Sequence, residues 1–154
     1  MEIIPDMIID TKTEAFQDAP EIVGCILYTL DNSFLLLKRH SDKPEGSTWG
    51  DPGGKVESGE TLEAAIIRET QEETGILLSK DSIEYVKTFY IIRERDNKHL
   101  IYHLFCAEYH GEPIILSDEH TEYGWFNHET ALTLPLIHDE EPCIEAFLQY
   151  RNNL

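Results

Sequence analysis

Positive charge is what this sequence most lacks: 12 lysines and arginines stand against 30 aspartates and glutamates, for a formal net charge of -18. A surface of that sign repels phosphate backbones and anionic bilayers, which argues against a nucleic-acid polymer or a membrane as partner. A plain solvated acidic surface accounts for the charge too, while an enzyme of this charge acting on a polyanion needs divalent cations to bring the two together. Cysteine is scarce. Cys25, Cys106 and Cys143 are odd in number, widely spaced and without a CxxC step, so neither a disulfide framework nor a zinc site is expected, and core thiols are. Long apolar runs are missing, since the stretch from Ile22 to Tyr28 is far too short to span a bilayer and Met1 to Asp10 has no basic leader pattern. The expectation is a reducing cytoplasm. No internal repeat or low-complexity segment is visible, and the remaining composition, 41% hydrophobic and 10% aromatic, is that of a globular chain whose 154 residues suit one core.

Along the chain, residues 1–20 carry Pro5, Pro20 and scattered acids and read as an N-terminal arm or edge strand ahead of a domain over 21–154. Ile22 to Leu30 is apolar at alternating and intervening positions alike, and Phe34 to Leu37 continues so after Asp31-Asn32, which predicts a hairpin inside a sheet. Ser41 to Gly54, with Pro44, Gly46, Gly50, Pro52, Gly53 and Gly54, predicts a loop holding Trp49. Thr61 to Thr74 has helical periodicity and is stopped by Gly75. A second hairpin is expected from Ile83 to Arg95 and His99 to Tyr109 about an Asp96-Asn97 turn, then a short strand at Tyr123 to Phe126 and a closing helix at Ile144 to Tyr150. This order suits an α/β fold, a mixed sheet with helices on both faces in an α/β/α sandwich.

The chemistry concentrates in the middle helix. At ~100° per residue, Leu62, Ala65 and Ile66 share a face with Glu69, Glu73 and Ile76, and Glu72 lies beside it. An ordinary solvated acidic face, with Arg68 and Glu72 as an i,i+4 pair, would lie opposite the apolar stripe. Here the acids interrupt the stripe, which carries them toward the interior, where unpaired carboxylates are costly. Carboxylates spaced i, i+3 and i+4 converge on one point. An all-oxygen cluster favours hard ions, magnesium or manganese, and the glycine-rich loop upstream can bring bare backbone to the same point.

The run Gly54-Lys55-Val56-Glu57-Ser58-Gly59-Glu60, seven further residues, and Arg68-Glu69-Thr70-Gln71-Glu72-Glu73-Thr74-Gly75-Ile76 resembles the signature of the Nudix hydrolases. Seven fixed residues at roughly one chance in fifteen each would coincide about once in 10⁸ start positions. Thr70 departs from the pattern, which prefers an aliphatic residue there. The resemblance implies a Nudix-type α/β/α sandwich and a metal-dependent hydrolase cleaving a nucleoside diphosphate linked to another group by water attack at phosphorus. It further implies that Glu69, Glu72 and Glu73 hold divalent ions, Mg2+ or alternatively Mn2+, with the Gly53 carbonyl, and that Arg68 orients the carboxylates. Glu69 is the first choice as base, with Glu72 and Glu119 as alternatives. Glu57 and Glu60 are assigned less firmly, because a glutamate at a helix start also serves its N-terminus electrostatically.

In many family members a later glutamate faces the cluster, and in Leu116 to Phe126 the best match is Glu119, then Glu122; both also suit an exposed acidic loop. His99, His103 and His120 are expected at surface positions of strands or loops. Trp49, Tyr90, Tyr102 and Trp125 can stack on a base but suit the core, and Arg93 and Arg95 can grip a distal phosphate but suit a solvated turn. The partner implied is a nucleotide-type small molecule, with a homodimer left open. The Arg-Glu-Thr-Gln-Glu-Glu wording and the Ser-Asp-Glu-His and Tyr-Gly-Trp segment are similar to diadenosine tetraphosphate hydrolases. A nucleoside triphosphate suits the residues as well, whereas the downstream proline of many ADP-ribose hydrolases is absent from Ile76 to Leu100. A Nudix-fold binding or regulatory module that has lost catalysis is the competing class, and such modules usually lack a signature carboxylate.

Overall fold

Two strands buried on both faces set the architecture. In a computed structural model that describes residues 6–153, β2 (Glu21–Tyr28) is fully buried from Val23 onward, and β3 (Phe34–Arg39) is buried from Phe34 to Leu37. Such continuous apolar runs need cover on each side. Helix α1 (Leu62–Thr74) supplies one cover, setting Ala65 and Ile66 against Val23, Cys25, Leu27, Leu35 and Leu37. Helix α3 (Glu140–Asn152) supplies the other, setting Cys143, Ile144 and Phe147 against Ile26, Tyr28, Phe34 and Leu36. The result is an α/β/α sandwich.

The sheet is mixed. Strand β2 runs parallel to β7 (His99–Glu108) from Glu21 opposite Ile101 to Tyr28 opposite Glu108, and β7 pairs antiparallel with β6 (Ile83–Ile92). A short β1 (Met7–Ile9) caps β6 at the edge, while residues 1–5 of the expected arm lie outside the described residues. On its other side β2 meets β3 at Tyr28 and Phe34 only, beyond the turn where Asn32 takes a φ of 67°. Strand β3 then diverges to pair with β4 (Trp49–Gly50) and β8 (His120–Phe126), and the first half of β2 pairs instead with β5 (Gly53–Lys55). This splay opens the sheet beside β5.

Several elements differ from expectation. The segment expected as loop contains β4 and β5, because its glycine-rich backbone lies flat against neighbouring strands. Strand β8 begins at His120 because the ladder to β3 already closes at Arg39, past a register shift. A short helix α2 (His128–Ala131), capped by Asn127 and Thr130, precedes α3. Helix α3 begins at Glu140, since Pro142 falls in its first turn, where a missing N–H costs nothing. All three cysteines are free and buried, and burial pushes the Cys106 thiol up to about 12. Among the described residues no helix is long and apolar enough to cross a membrane.

Helix α1 has a definite start and stop. The Thr61 side chain accepts from the Ala64 N–H at 3.1 Å, and Gly75 closes the helix at φ 78°, where a side chain would be strained. Within it Thr70 is fully buried, and its hydroxyl has no partner. Thr70→Val removes that unsatisfied group at nearly constant volume and is expected to stabilise the fold by about 1 kcal/mol, raising the Tm by about 2 to 4 °C. Thermal melting checks this; an unchanged or lower Tm would mean that the hydroxyl has a partner in solution.

Candidate active site

Glu73 occupies the inward side of the last turn of α1 and is only 5% exposed. One backbone group reaches it, the Gly53 N–H at 3.0 Å. Burial, with help from Glu69, Glu119 and Asp51, pushes its carboxyl up to about 9 despite that hydrogen bond. One turn earlier lies Glu69, whose carboxyl burial also raises against the pull of Arg68. A Cβ added to Gly54 would stand 2.4 Å from the Glu69 carboxyl carbon, so only glycine lets β5 approach this helix so closely.

Across from the helix, Glu119 and His120 at the start of β8 bring ligand atoms within 4.8 Å of that of Glu73. His120 is buried, and its Nδ1 has no hydrogen-bond partner. Buried like charges beside an orphaned ring nitrogen fit a divalent cation, with oxygen ligands predominating. Glu72 behaves differently. It lies 57% exposed on the helix flank, with Arg68 Nη1 3.4 Å away.

Arg68 ties these parts together. Its Nε and Nη2 grip both oxygens of Glu60 at 2.8 and 2.9 Å, Nη1 donates to Glu69 at 2.9 Å, and Nη2 also donates to the Lys55 carbonyl at 3.1 Å. A forked guanidinium can do this and an ammonium cannot. The Glu60 carboxyl, hydrogen-bonded by Arg68 and by the Glu57 N–H at 2.8 Å, is held down to about 2. Glu60 thus joins the loop to the helix, while Glu57 remains 67% exposed and 3.7 Å from Arg68. Glu122 points elsewhere, to Lys38 at 3.1 Å.

The histidine expectation needs correction: His103 and His120 are buried rather than at the surface. His103 lies in a central strand, bonded at 2.9 Å to Thr88 through Nδ1 and at 2.9 Å to Glu21 through Nε2, which compensates its burial. His99 is half-buried, edge-on to Phe16. Trp49 packs on Phe126, Trp125 on Tyr109 and Tyr90 on Phe16.

Beside the carboxylates lies a cavity of about 740 Å³. Gly53, Gly54 and Glu73 line it, and Ile22, Phe89, Ile91 and Leu100 contribute apolar wall. Arg39, Arg93 and Arg95 border it, with Arg93 engaged to Asp96 at 2.6 Å. Asp6, His138 and Asp139 form a second cluster on its lining, His138 Nε2 being 3.3 Å from Asp6. Sequence reasoning missed Asp51 and the buried Glu140, and it weighed Tyr102 only as a base-stacking or core residue; the one local signal was an aspartate set between Gly50 and Pro52 in the glycine-rich segment.

Comparison with known proteins agrees with this geometry. The NUDIX domain family model matches residues 19–147. The CTP pyrophosphohydrolase of Escherichia coli K12 is 32% identical over 134 residues, covering 85% of this chain and 93% of that protein. The ADP-ribose pyrophosphatase of Methanocaldococcus jannaschii is 34% identical over 124 residues, covering 79% and 69%. A solved MutT NUDIX hydrolase from Burkholderia pseudomallei superposes with a TM-score of 0.72 at 31% identity, covering 84% of this chain and 98% of that one. The chain belongs to the Nudix family and, with every signature carboxylate in place, is a Nudix pyrophosphohydrolase.

Glu73 ordinarily titrates near 4.5 and does so near 9 in the fold without metal. Between those values the folded chain keeps a proton that the unfolded chain has released, so raising the pH destabilises the fold. In excess chelator the Tm should therefore fall from pH 5 to pH 9, and Glu73→Gln should flatten the slope. Part will persist, because Asp139, raised by burial to about 7, acts in the same direction. Parallel melting curves for parent and variant would show that Glu73 is already ionised in the metal-free fold.

Proposed function

We propose that the chain hydrolyses a phosphoanhydride of a nucleoside triphosphate or dinucleoside polyphosphate with Mg2+, or alternatively Mn2+. The observation that carries this is the convergence of Glu69, Glu73, Glu119 and His120 where Glu73 and His120 line a cavity of about 740 Å³, a volume that suits a nucleotide. Glu69, Glu72, Glu73 and the Gly53 carbonyl hold the cation, with Glu119 as a further ligand. A divalent ion bound there neutralises phosphate oxygens and makes a nearby water more acidic.

Glu69 is assigned as the group that takes the proton from the attacking water. Its partial burial raises its basicity while Arg68 fixes its carboxylate. The water oxygen bonds to phosphorus, the bridging P–O bond breaks, and the departing phosphate carries away the electron pair. Glu119 and Glu72 are the alternative acceptors. Arg68 is a positioning residue, and Arg93 and Arg95, which border the cavity, are the candidates to meet a distal phosphate. The names of the relatives diverge, CTP for one and ADP-ribose for another, as expected if the signature handles the diphosphate and leaves the attached group to the cavity.

A nucleotide panel with magnesium, read by chromatography of the products, tests the activity. Glu69→Gln and Glu73→Gln are each expected to lower kcat by about 10²-fold to 10⁴-fold, or roughly 3 to 5 kcal/mol of barrier. Glu63→Gln, on the other side of α1, should leave kcat intact, and excess chelator should abolish turnover. Full turnover in chelator, or equal damage from Glu63→Gln, would sink the assignment.

A further inference from the structure

Of the two buried histidines, His103 and His120, only the first has its ring fully engaged. His103 bonds Thr88 through Nδ1 and Glu21 through Nε2, each at 2.9 Å, as a buried imidazole ordinarily must. His120 is 9% exposed, and its Nδ1 is buried with no hydrogen-bond partner. Its surroundings are nevertheless polar, since a ring nitrogen and one carboxylate oxygen each from Glu73 and Glu119 lie within 4.8 Å of one another. The backbone is arranged to bring this about. Successive strand residues face opposite ways, yet Glu119 and His120 both reach Glu73. They do so at the very start of β8, where Glu119 precedes the strand and its carbonyl accepts from the His40 N–H at 2.7 Å. The ladder to β3 slips register there, between Lys38 and Arg39, and irregularities of this kind re-aim side chains.

We infer that His120 gives a ring nitrogen to the divalent ion held by Glu73 and Glu119, so that the metal centre mixes nitrogen with oxygen instead of being built from oxygen alone. This assignment rests on the carboxylates being a cation site, and adds to it a ligand and a metal preference. Two donors on one ion at about 2.1 Å each stand at most about 4.2 Å apart. Separations of no more than 4.8 Å therefore close with shifts of a few tenths of an ångström on each side. The competing arrangement is a ring N–H donated straight to a carboxylate, and Nδ1 makes no such bond. A buried imidazole left without a partner is costly, and so are two carboxylates that have only each other; one ion among the three groups relieves both. Magnesium keeps to oxygen ligands, whereas an imidazole ligand favours first-row transition ions over it. A centre that includes His120 should accordingly hold Mn2+ more tightly than Mg2+.

The test is binding of Mn2+ alone to the substrate-free protein, followed by pulsed electron paramagnetic resonance. Spectra of the parent should carry the modulation of a nitrogen nucleus bonded to Mn2+, and His120→Leu, which removes both ring nitrogens, should abolish it. His138→Leu, at an exposed position of the second cluster, should leave it in place. The His120 variant should also bind Mn2+ about tenfold more weakly or worse, since losing even an outer partner of a ligand typically costs about 10-fold to 100-fold. The parent's preference for Mn2+ over Mg2+ should shrink by a similar factor. Thermal melting verifies the fold of each variant, and His120→Asn, whose carboxamide binds metals through oxygen, takes the place of His120→Leu if that one does not fold. Bound Mn2+ without a nitrogen signal, a signal that survives in the folded His120 variant, or one that is lost with His138 would overturn the inference and leave the cation site standing. Failure of the parent to bind Mn2+ at all would remove both.

Discussion

The site depends on a helix that docks through one face and carries acids on that same face. Ala65 and Ile66 lock α1 against β2 and β3, and one or two turns later the same face delivers Glu69 and Glu73 to the protein interior. Apolar burial of the first half drives the desolvation of the second, which an isolated acidic helix could not sustain. What offsets the cost within the chain is modest: Arg68 for Glu69, and one backbone N–H for Glu73. The remaining deficit is one that a bound cation would relieve. It also explains why Glu72, on the flank and exposed to water, carries no such strain.

Arg68 has a second consequence. By gripping Glu60 and the Lys55 carbonyl it fixes the glycine-rich strand to the helix, so that Gly53 and Gly54 stay at the carboxylates. The alternative left open for Glu60, service to the helix N-terminus, is a weaker interaction than the bidentate pair it makes. The ion pair is short in sequence and sits among other acids, so its contribution is to geometry more than to stability.

These relations explain what the sequence disclosed. The signature spans one loop and one helix, where period and spacing convert directly to direction in space; the helix to within one residue at its start, the stop at Gly75 and the inward acids were all legible. The hairpin strands were legible because their apolar runs exceed what a one-sided sheet requires. The early divergence of β3 from β2 was not, since nothing local distinguishes a hairpin that stays zipped from one that opens after a single pair. His103 and His120 were misplaced for the same reason: their burial is decided by what lies across the sheet. Asp51, Tyr102 and Glu140 belong to three distant elements, and no pairwise spacing announces their meeting.

Two groups of carboxyls on the cavity lining solve the same physical problem by different means. Glu73 accepts a single backbone hydrogen bond, from Gly53, and lies with Glu119 close to a His120 nitrogen without a partner, an arrangement whose repulsion a cation would relieve. Around Asp51 and Glu140 the carboxyls have a tyrosine hydroxyl, a backbone N–H and each other, and burial raises both, Glu140 well above the ordinary carboxylate range, so a shared proton would relieve them. A cation at the second group would have to displace that proton, and it would find Tyr102 already donating.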